Sequence, residues 1–144
     1  MDFEEIISTY KHRCHIQIRY KDIDKQGHVN NAVHLTYFET ARSNYFKKVL
    51  RKKNDWVKTG IILASTSITY KRPIFLEEDL YCYTKISHIG TKSFEIEHLL
   101  AVESSVGLTL VAYGKSTMVC YDYVMQKTIE IPKQWLEAIN EFEN

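Results

Sequence analysis

The hydrophobic period of this chain changes twice, and the two changes leave few folds open. Residues 13–20 alternate, with Cys14, Ile16, Ile18 and Tyr20 against Arg13, His15, Gln17 and Arg19, the pattern of a half-buried strand. From about Asn31 the spacing becomes helical: Leu35, Phe38, Ala41, Tyr45 and Val49 recur at steps of three and four, and Phe46 and Leu50 widen the stripe. After a break at Asn54–Gly60 the pattern is β for most of the remaining chain, with strands predicted near 61–70, 79–89, 92–103 and 107–121. Gly90 and residues 104–107 supply the hairpin turns. Phe94, Ile96, His98, Leu100 and Val102 share one strand face by simple alternation. Thr128–Ile131 adds a short β segment, and Pro132 opens a terminal helix that turns Trp135, Leu136, Ile139 and Phe142 inward. One long helix followed by four consecutive antiparallel strands is an α+β arrangement in which the helix buries its stripe against the sheet.

Length and charge narrow the function. At 144 residues the chain reads as one domain over 1–144, with no linker, repeat or low-complexity stretch. A net charge of +1 gives no global field to recruit nucleic acid or a membrane surface. No segment approaches the roughly 20 apolar residues of a membrane span. The start, MDFEEIISTYKHR, is acidic and lacks a signal-like apolar run. Cys14, Cys82 and Cys120 are isolated and odd in number, which favours packing in a reducing compartment over disulfides or zinc. A cytoplasmic location is therefore expected. Ten tyrosines suit half-buried sheet faces or an interface between subunits.

The chemistry concentrates where strand gives way to helix. Asp22, Asp24 and Gly27 lie in a polar loop directly before the helix, for which Asn30 or Asn31 can serve as N-cap. A helix start presents unpaired N–H groups and partial positive charge, which can hold an oxyanion. A carboxylate beside it can attack a carbonyl or activate water. The plainer reading of Asp24 is a solvated loop acid favoured by the helix dipole, and the residues alone leave both open. Asp22-x-Asp24-x-x-Gly27 also has the opening of a calcium loop. However, Gln26 stands at its fifth position, and Val33 at its twelfth, where a bidentate Glu is required. His28 and His34 are six apart, off a common helix face, and make a poor metal pair. Glu39 and Arg42, three apart, are expected to pair on the helix, although Glu39 could be a second catalytic carboxylate if it points into a cleft. Lys47, Lys48, Arg51, Lys52 and Lys53 crowd the helix end, where cations suit the dipole, the plainer reading beside a phosphate-binding role. Nucleophile-elbow, Walker and dinucleotide motifs are absent from the sequence.

The run RYKDIDKQGHVNNAVHLTYFETAR closely resembles the entry segment of hotdog-fold acyl-CoA thioesterases, in the branch of 4-hydroxybenzoyl-CoA thioesterase and its bacterial long- and short-chain relatives. ITYKRPIFLEED at 68–79 is similar to that family's strand and R-P-I turn, and GTKSF at 90–94 to its next hairpin. The resemblance covers nearly the whole chain. It implies a long helix wrapped by a curved antiparallel sheet, and a dimer or tetramer whose subunits share the active site. It implies Asp24 as the catalytic carboxylate and Asp22 as an outer acid of lesser role. By position, the Asn31 N–H is the donor that polarises the thioester, with Asn30 and His28 lining the same turn. Thr91, Lys92 and Ser93 fall in the hairpin that meets the coenzyme A chain or its phosphates. His34 stands where many relatives have Tyr beside the acyl pocket, which leaves the acyl preference open.

The implied reaction is hydrolysis of an acyl-CoA, with coenzyme A as part of the substrate and no cofactor or metal. Asp24 acts as nucleophile or as general base. Two other classes stand beside it. An acyl carrier protein thioesterase would need a docking patch, for which Lys47–Lys53 or Lys71–Arg72 are candidates. A non-catalytic acyl-thioester binder would have no use for Asp24.

Overall fold

The computed structural model describes residues 2–51 and 54–144. Lys52 and Lys53 of the basic run lie outside the described residues. The long helix α2 runs Val33–Leu50, through a stretch free of Gly and Pro, with Lys47 and Lys48 in its last turn. It buries His34, Tyr37, Phe38, Ala41, Tyr45, Phe46, Val49 and Leu50. Leu35, expected in this stripe, is instead 42% exposed, because the buried face is rotated toward His34 and Tyr37, which the preceding loop engages.

Around α2 lie β1 (His12–Ile16), β2 (Thr59–Tyr70), β3 (Asp79–Ile89), β4 (Ser93–Ser104), β5 (Gly107–Asp122) and β6 (Lys127–Thr128). All pairings are antiparallel, in the order β1-β3-β4-β5-β2, with β6 also on β5. The register shifts at Leu63/Ser65, Ile86/His88 and Leu100/Ala101, and such bulges increase twist and bend a sheet. The curved sheet takes the helix into its concave face. Phe38 stacks on His98 of β4 at 4.6 Å and sits over Gly114 of β5. A Cβ at Gly114 would come within 2.6 Å of the Phe38 ring and 2.4 Å of the Ser67 carbonyl, so the close approach requires glycine there.

Helix α3 (Lys133–Glu143) buries Trp135, Ala138 and Ile139 at the far end of the core, while Leu136 and Phe142 are half-buried. The described strands match those expected to within two residues at each end, apart from two. β1 stops at Ile16, and Tyr20, placed in it by alternation, opens a short 3-10 turn and is 85% exposed. The segment expected at 128–131 pairs only at Lys127–Thr128. An unexpected helix α1 (Phe3–Ser8) is started by a capping box between Asp2 and Glu5. Its Phe3, Ile6 and Ile7 pack on Tyr83, Leu99 and Ala101, on the face of the sheet away from α2.

Candidate active site

The loop between β1 and α2 is drawn tight by its own backbone. Asp24 N–H donates to the His28 carbonyl, and Gly27 N–H to the Asp24 carbonyl, both at 3.0 Å. Gly27 has φ 88°, a left-handed conformation that glycine adopts without penalty. Ile23 bridges to Val29, and the Val29 N–H donates to the Ile74 carbonyl at 2.8 Å, which ties the loop to the turn before β3.

The two acids of this loop have different surroundings. Asp22, expected to be the outer acid, is the buried one, at 2% exposure. Its carboxylate accepts from the Tyr37 hydroxyl at 2.7 Å and from the Arg19 N–H at 2.9 Å, with the Arg19 guanidinium at 3.4 Å. Burial pushes its carboxyl up. The Arg19 N–H, the Tyr37 hydroxyl and the Arg19 charge together outweigh burial and hold it below the usual carboxylate range. Its carbonyl accepts from Asn30 N–H at 2.9 Å, so Asp22 pins both ends of the loop. Asp24 is only half-buried. One of its oxygens accepts from the Gln26 N–H at 2.8 Å, and the other lies 3.4 Å from the Asn30 amide nitrogen. That second oxygen is loosely held beside the helix start.

At that start the structure places Ala32 as cap residue, with no side-chain cap bond. Asn30, one of the two expected caps, acts one step earlier, accepting from Ala32 N–H through its side chain at 2.9 Å and from Val33 N–H through its carbonyl at 2.9 Å. Among the described residues, no group accepts a hydrogen bond from the Asn31 N–H. His28, Val29, Asn31 and His34 line a pocket of about 260 Å³ together with Tyr70, Lys71, Arg72 and Pro73. His34 stands edge-on to Tyr70 at 4.8 Å, with Nδ1 3.4 Å from the Asn30 carbonyl oxygen. Its burial outweighs that contact and lowers its pKa, so the ring is neutral at pH 7. His28 stands edge-on to Phe75 at 6.5 Å.

The hairpin Thr91-Lys92-Ser93 is elsewhere. It joins β3 to β4 at the opposite end of the sheet from Asp24, and the 11 residues of β3 span about 35 Å at 3.3 Å per residue. Its backbone is anchored by Cys120 N–H to the Lys92 carbonyl at 2.9 Å and by Ile131 N–H to the Thr91 carbonyl at 3.0 Å. On this side a larger groove, about 810 Å³, opens between the second half of α2 and the edge strand β2. Phe46, Trp56, Ile62, Leu63 and Met118 line its floor, and Arg42, Lys47 and Arg51 its rim. Glu39 and Arg42 both face it and, among the described residues, form no ion pair with each other, contrary to expectation. Arg72 is committed to Glu78 through two contacts of 2.9 and 2.7 Å, whereas Lys71 beside it forms no ion pair among the described residues.

Loop, helix start and wrapped sheet together match a known family. Residues 18–139 match the thioesterase-like superfamily. The chain belongs to that superfamily. Among curated relatives, the protein YsmA of Bacillus subtilis is 31% identical over 69% of this chain and 67% of its own length. The long-chain acyl-CoA thioesterase FadM of Escherichia coli is 24% identical over 88% of this chain and 95% of its own. Among solved structures, a thioesterase of Thermus thermophilus complexed with coenzyme A and zinc superposes with a TM-score of 0.81 at 27% identity, covering 94% of this chain and 96% of that one. A 1,4-dihydroxy-2-naphthoyl-CoA thioesterase of Synechocystis gives 0.79 at 18% identity, covering 92% and 97%. The fold is the hotdog fold, and the chain is a thioester hydrolase. Among the described residues, no helix is long and apolar enough to cross a membrane.

Sequence reasoning passed over Tyr70 and Pro73 in the small pocket, and Phe46, Trp56, Ile62, Leu63 and Met118 as a groove floor. The available signal was the position of Tyr70, the last residue of an apolar strand and immediately before the K-R-P turn.

Proposed function

We propose that this thioester hydrolase acts on acyl-CoA, with Asp24 and the Asn31 N–H as its working groups. The observation that carries the reading is that Asn31, whose N–H has no acceptor among the described residues, lines a pocket, while one oxygen of Asp24 is loosely held 3.4 Å from the neighbouring Asn30 side chain. The thioester carbonyl oxygen accepts from Asn31 N–H at the positive helix end, and Asp24 either takes a proton from an attacking water or attacks the carbon to give a mixed anhydride, which water then hydrolyses to the free acid, restoring the carboxylate. Such a donor is worth on the order of 3 kcal/mol in the transition state. Coenzyme A leaves as a thiolate, so the reaction needs neither a strong acid nor a metal or cofactor. His28, Asn30 and His34 shape the acyl side of the pocket.

The proposed enzyme is a homodimer at least. The edge strand β2 carries the half-open apolar residues Ile62, Leu63 and Tyr70 and has no strand beyond it among the described residues. Within one subunit, Thr91-Lys92-Ser93 is too far from Asp24 to share its substrate, whereas a second copy paired along β2 supplies the hairpin and groove from its own opposite end. The acyl chain then runs in the groove between subunits, with the hairpin near the coenzyme A phosphates. The exposed Lys47, Lys48 and Arg51 favour an acyl carrier protein as the second carrier to test.

A hydrolysis screen from butyryl- to palmitoyl-CoA plus benzoyl-CoA, repeated with palmitoyl carrier protein, tests the reading. Turnover of at least one acyl-CoA above the carrier-protein rate is the expected result. Turnover of the carrier-protein thioester alone would assign the other carrier, and no hydrolysis of any of them would remove the acyl-thioesterase reading.

A further inference from the structure

The Asn31 N–H can serve as an oxyanion donor only if the peptides around it hold still, and the structure shows how they are held. The peptide between Asn31 and Ala32 is gripped from both sides. Its N–H donates to the Asn30 side chain at 2.9 Å, and its carbonyl accepts from the Tyr70 hydroxyl at 2.9 Å. The preceding peptide has its carbonyl fixed by the Val33 N–H at 2.9 Å, while its own N–H has no acceptor among the described residues. Tyr70 is itself well anchored. It pairs with Ala112 at the end of β2, and the next two residues both donate to the Val111 carbonyl, at 2.8 and 3.2 Å. Its ring stands against His34, and the Arg72–Glu78 pair closes the turn behind it.

We propose that Tyr70 is a positioning residue for hydrolysis: its hydroxyl grips the Asn31 carbonyl and so aims the Asn31 N–H at the thioester oxygen. This rests on the acyl-CoA reading of the pocket. Its physical content is that an exposed, neutral hydrogen bond adds little to stability, whereas a small misdirection of a catalytic group costs much in rate. Because the grip holds the peptide that follows the oxyanion donor, across the Asn31 Cα, and touches no part of the acyl group, its loss affects every acyl group alike.

Tyr70→Phe keeps the ring on His34 and deletes only the hydroxyl. Its kcat should fall about tenfold or more for both octanoyl-CoA and benzoyl-CoA, with KM changed by less than about twofold and an unaltered thermal midpoint. A raised KM with unchanged kcat, or a loss confined to one acyl group, would make Tyr70 a pocket wall and overturn the inference. Wild-type kinetics would do the same. Asp24→Asn is assayed in parallel. If it retains full turnover, the reading of the site fails and the inference with it. If it is inactive while Tyr70→Phe is normal, only the inference fails.

Discussion

At the end of the sheet where β3 begins, a set of polar groups is paired: Asp22 with Tyr37 and Arg19, Asn30 with Ala32 and Val33, Tyr70 with Asn31, and Arg72 with Glu78. At the end where β3 finishes, a wide groove lies over Phe46, Trp56 and Met118, and its rim cations have no ion-pair partner among the described residues. The first end is small and tightly hydrogen-bonded, with one donor left without an acceptor among the described residues, an arrangement that suits transition-state stabilisation. The second is large and aromatic, with flexible charges, which suits grip on a long substrate rather than chemistry. On the proposed reading, the chain carries the two halves of its site a strand's length apart.

If the first end does the chemistry, its two acids must fail in different ways. Asp24→Asn removes charge and keeps shape, so kcat should drop by at least about a hundredfold if Asp24 is a general base, and further if it is the nucleophile. Its melting temperature should hardly move. Near-wild-type kcat on the best acyl-CoA would erase the contrast between the two ends. Asp22→Asn should do the reverse, costing about 1–3 kcal/mol of stability by weakening a buried charged hydrogen-bond set, with a smaller effect on the rate of the molecules that remain folded. The sign with pH follows from its depressed pKa. The stabilisation is present above the unfolded carboxylate range, near about 4, and is lost as pH falls through the lower folded value. Wild type and Asp22→Asn should therefore converge in acid. Denaturation curves that stay parallel down to that range would show that Asp22 is not the anchor described.

The far end is broken by a different change. Trp56, 42% exposed, lines the groove with its ring 6.1 Å from Phe46 and 5.3 Å from Trp135. If the acyl chain lies there, Trp56→Ala should raise KM for palmitoyl-CoA by about three- to tenfold, a share of the value of burying apolar surface, and leave butyryl-CoA untouched. An equal effect on both chain lengths would move the acyl chain out of the groove.

What the sequence disclosed follows the same division. The strands, the long helix and the acid loop were legible because they rest on local pattern: alternation, a three-four stripe, and polar residues before a helix. The buried face of α2 was misjudged at Leu35 because its rotation is set by the Tyr37–Asp22 bond, a contact across 15 residues that periodicity does not encode. The same bond reverses the expectation for Asp22, since two acids in one loop look equally solvated until one finds a buried hydroxyl. Tyr20 continued the alternation of β1 but had no partner strand to lie on, as β1 pairs with β3 only through Ile16. Tyr70 and the groove depend on edge strand β2 meeting α2, a tertiary event that no short window reports.

The smallest expected effect tests whether the two ends meet on one substrate. Lys92 is exposed in the β3–β4 hairpin, where its carbonyl is fixed by the Cys120 N–H and its side chain has no ion-pair partner among the described residues. A lysine there is a flexible point charge on a rigid turn, suited to phosphate. Phe94, two residues on, is buried in the core and keeps the turn in place. Lys92→Ala should raise KM for acyl-CoA by about two- to threefold, since an exposed pair is worth at most about 1 kcal/mol, and leave kcat intact, the mark of lost uniform binding. The change should vanish with the matching acyl-pantetheine, which has no nucleotide phosphates, and should shrink as salt screens the charge. Equal sensitivity of both substrates would mean that Lys92 touches the pantetheine arm or acts through the hairpin's shape. An unchanged KM would return it to solvent and leave the phosphate site unassigned, with Lys47 and Arg51 at the groove the next cations to test.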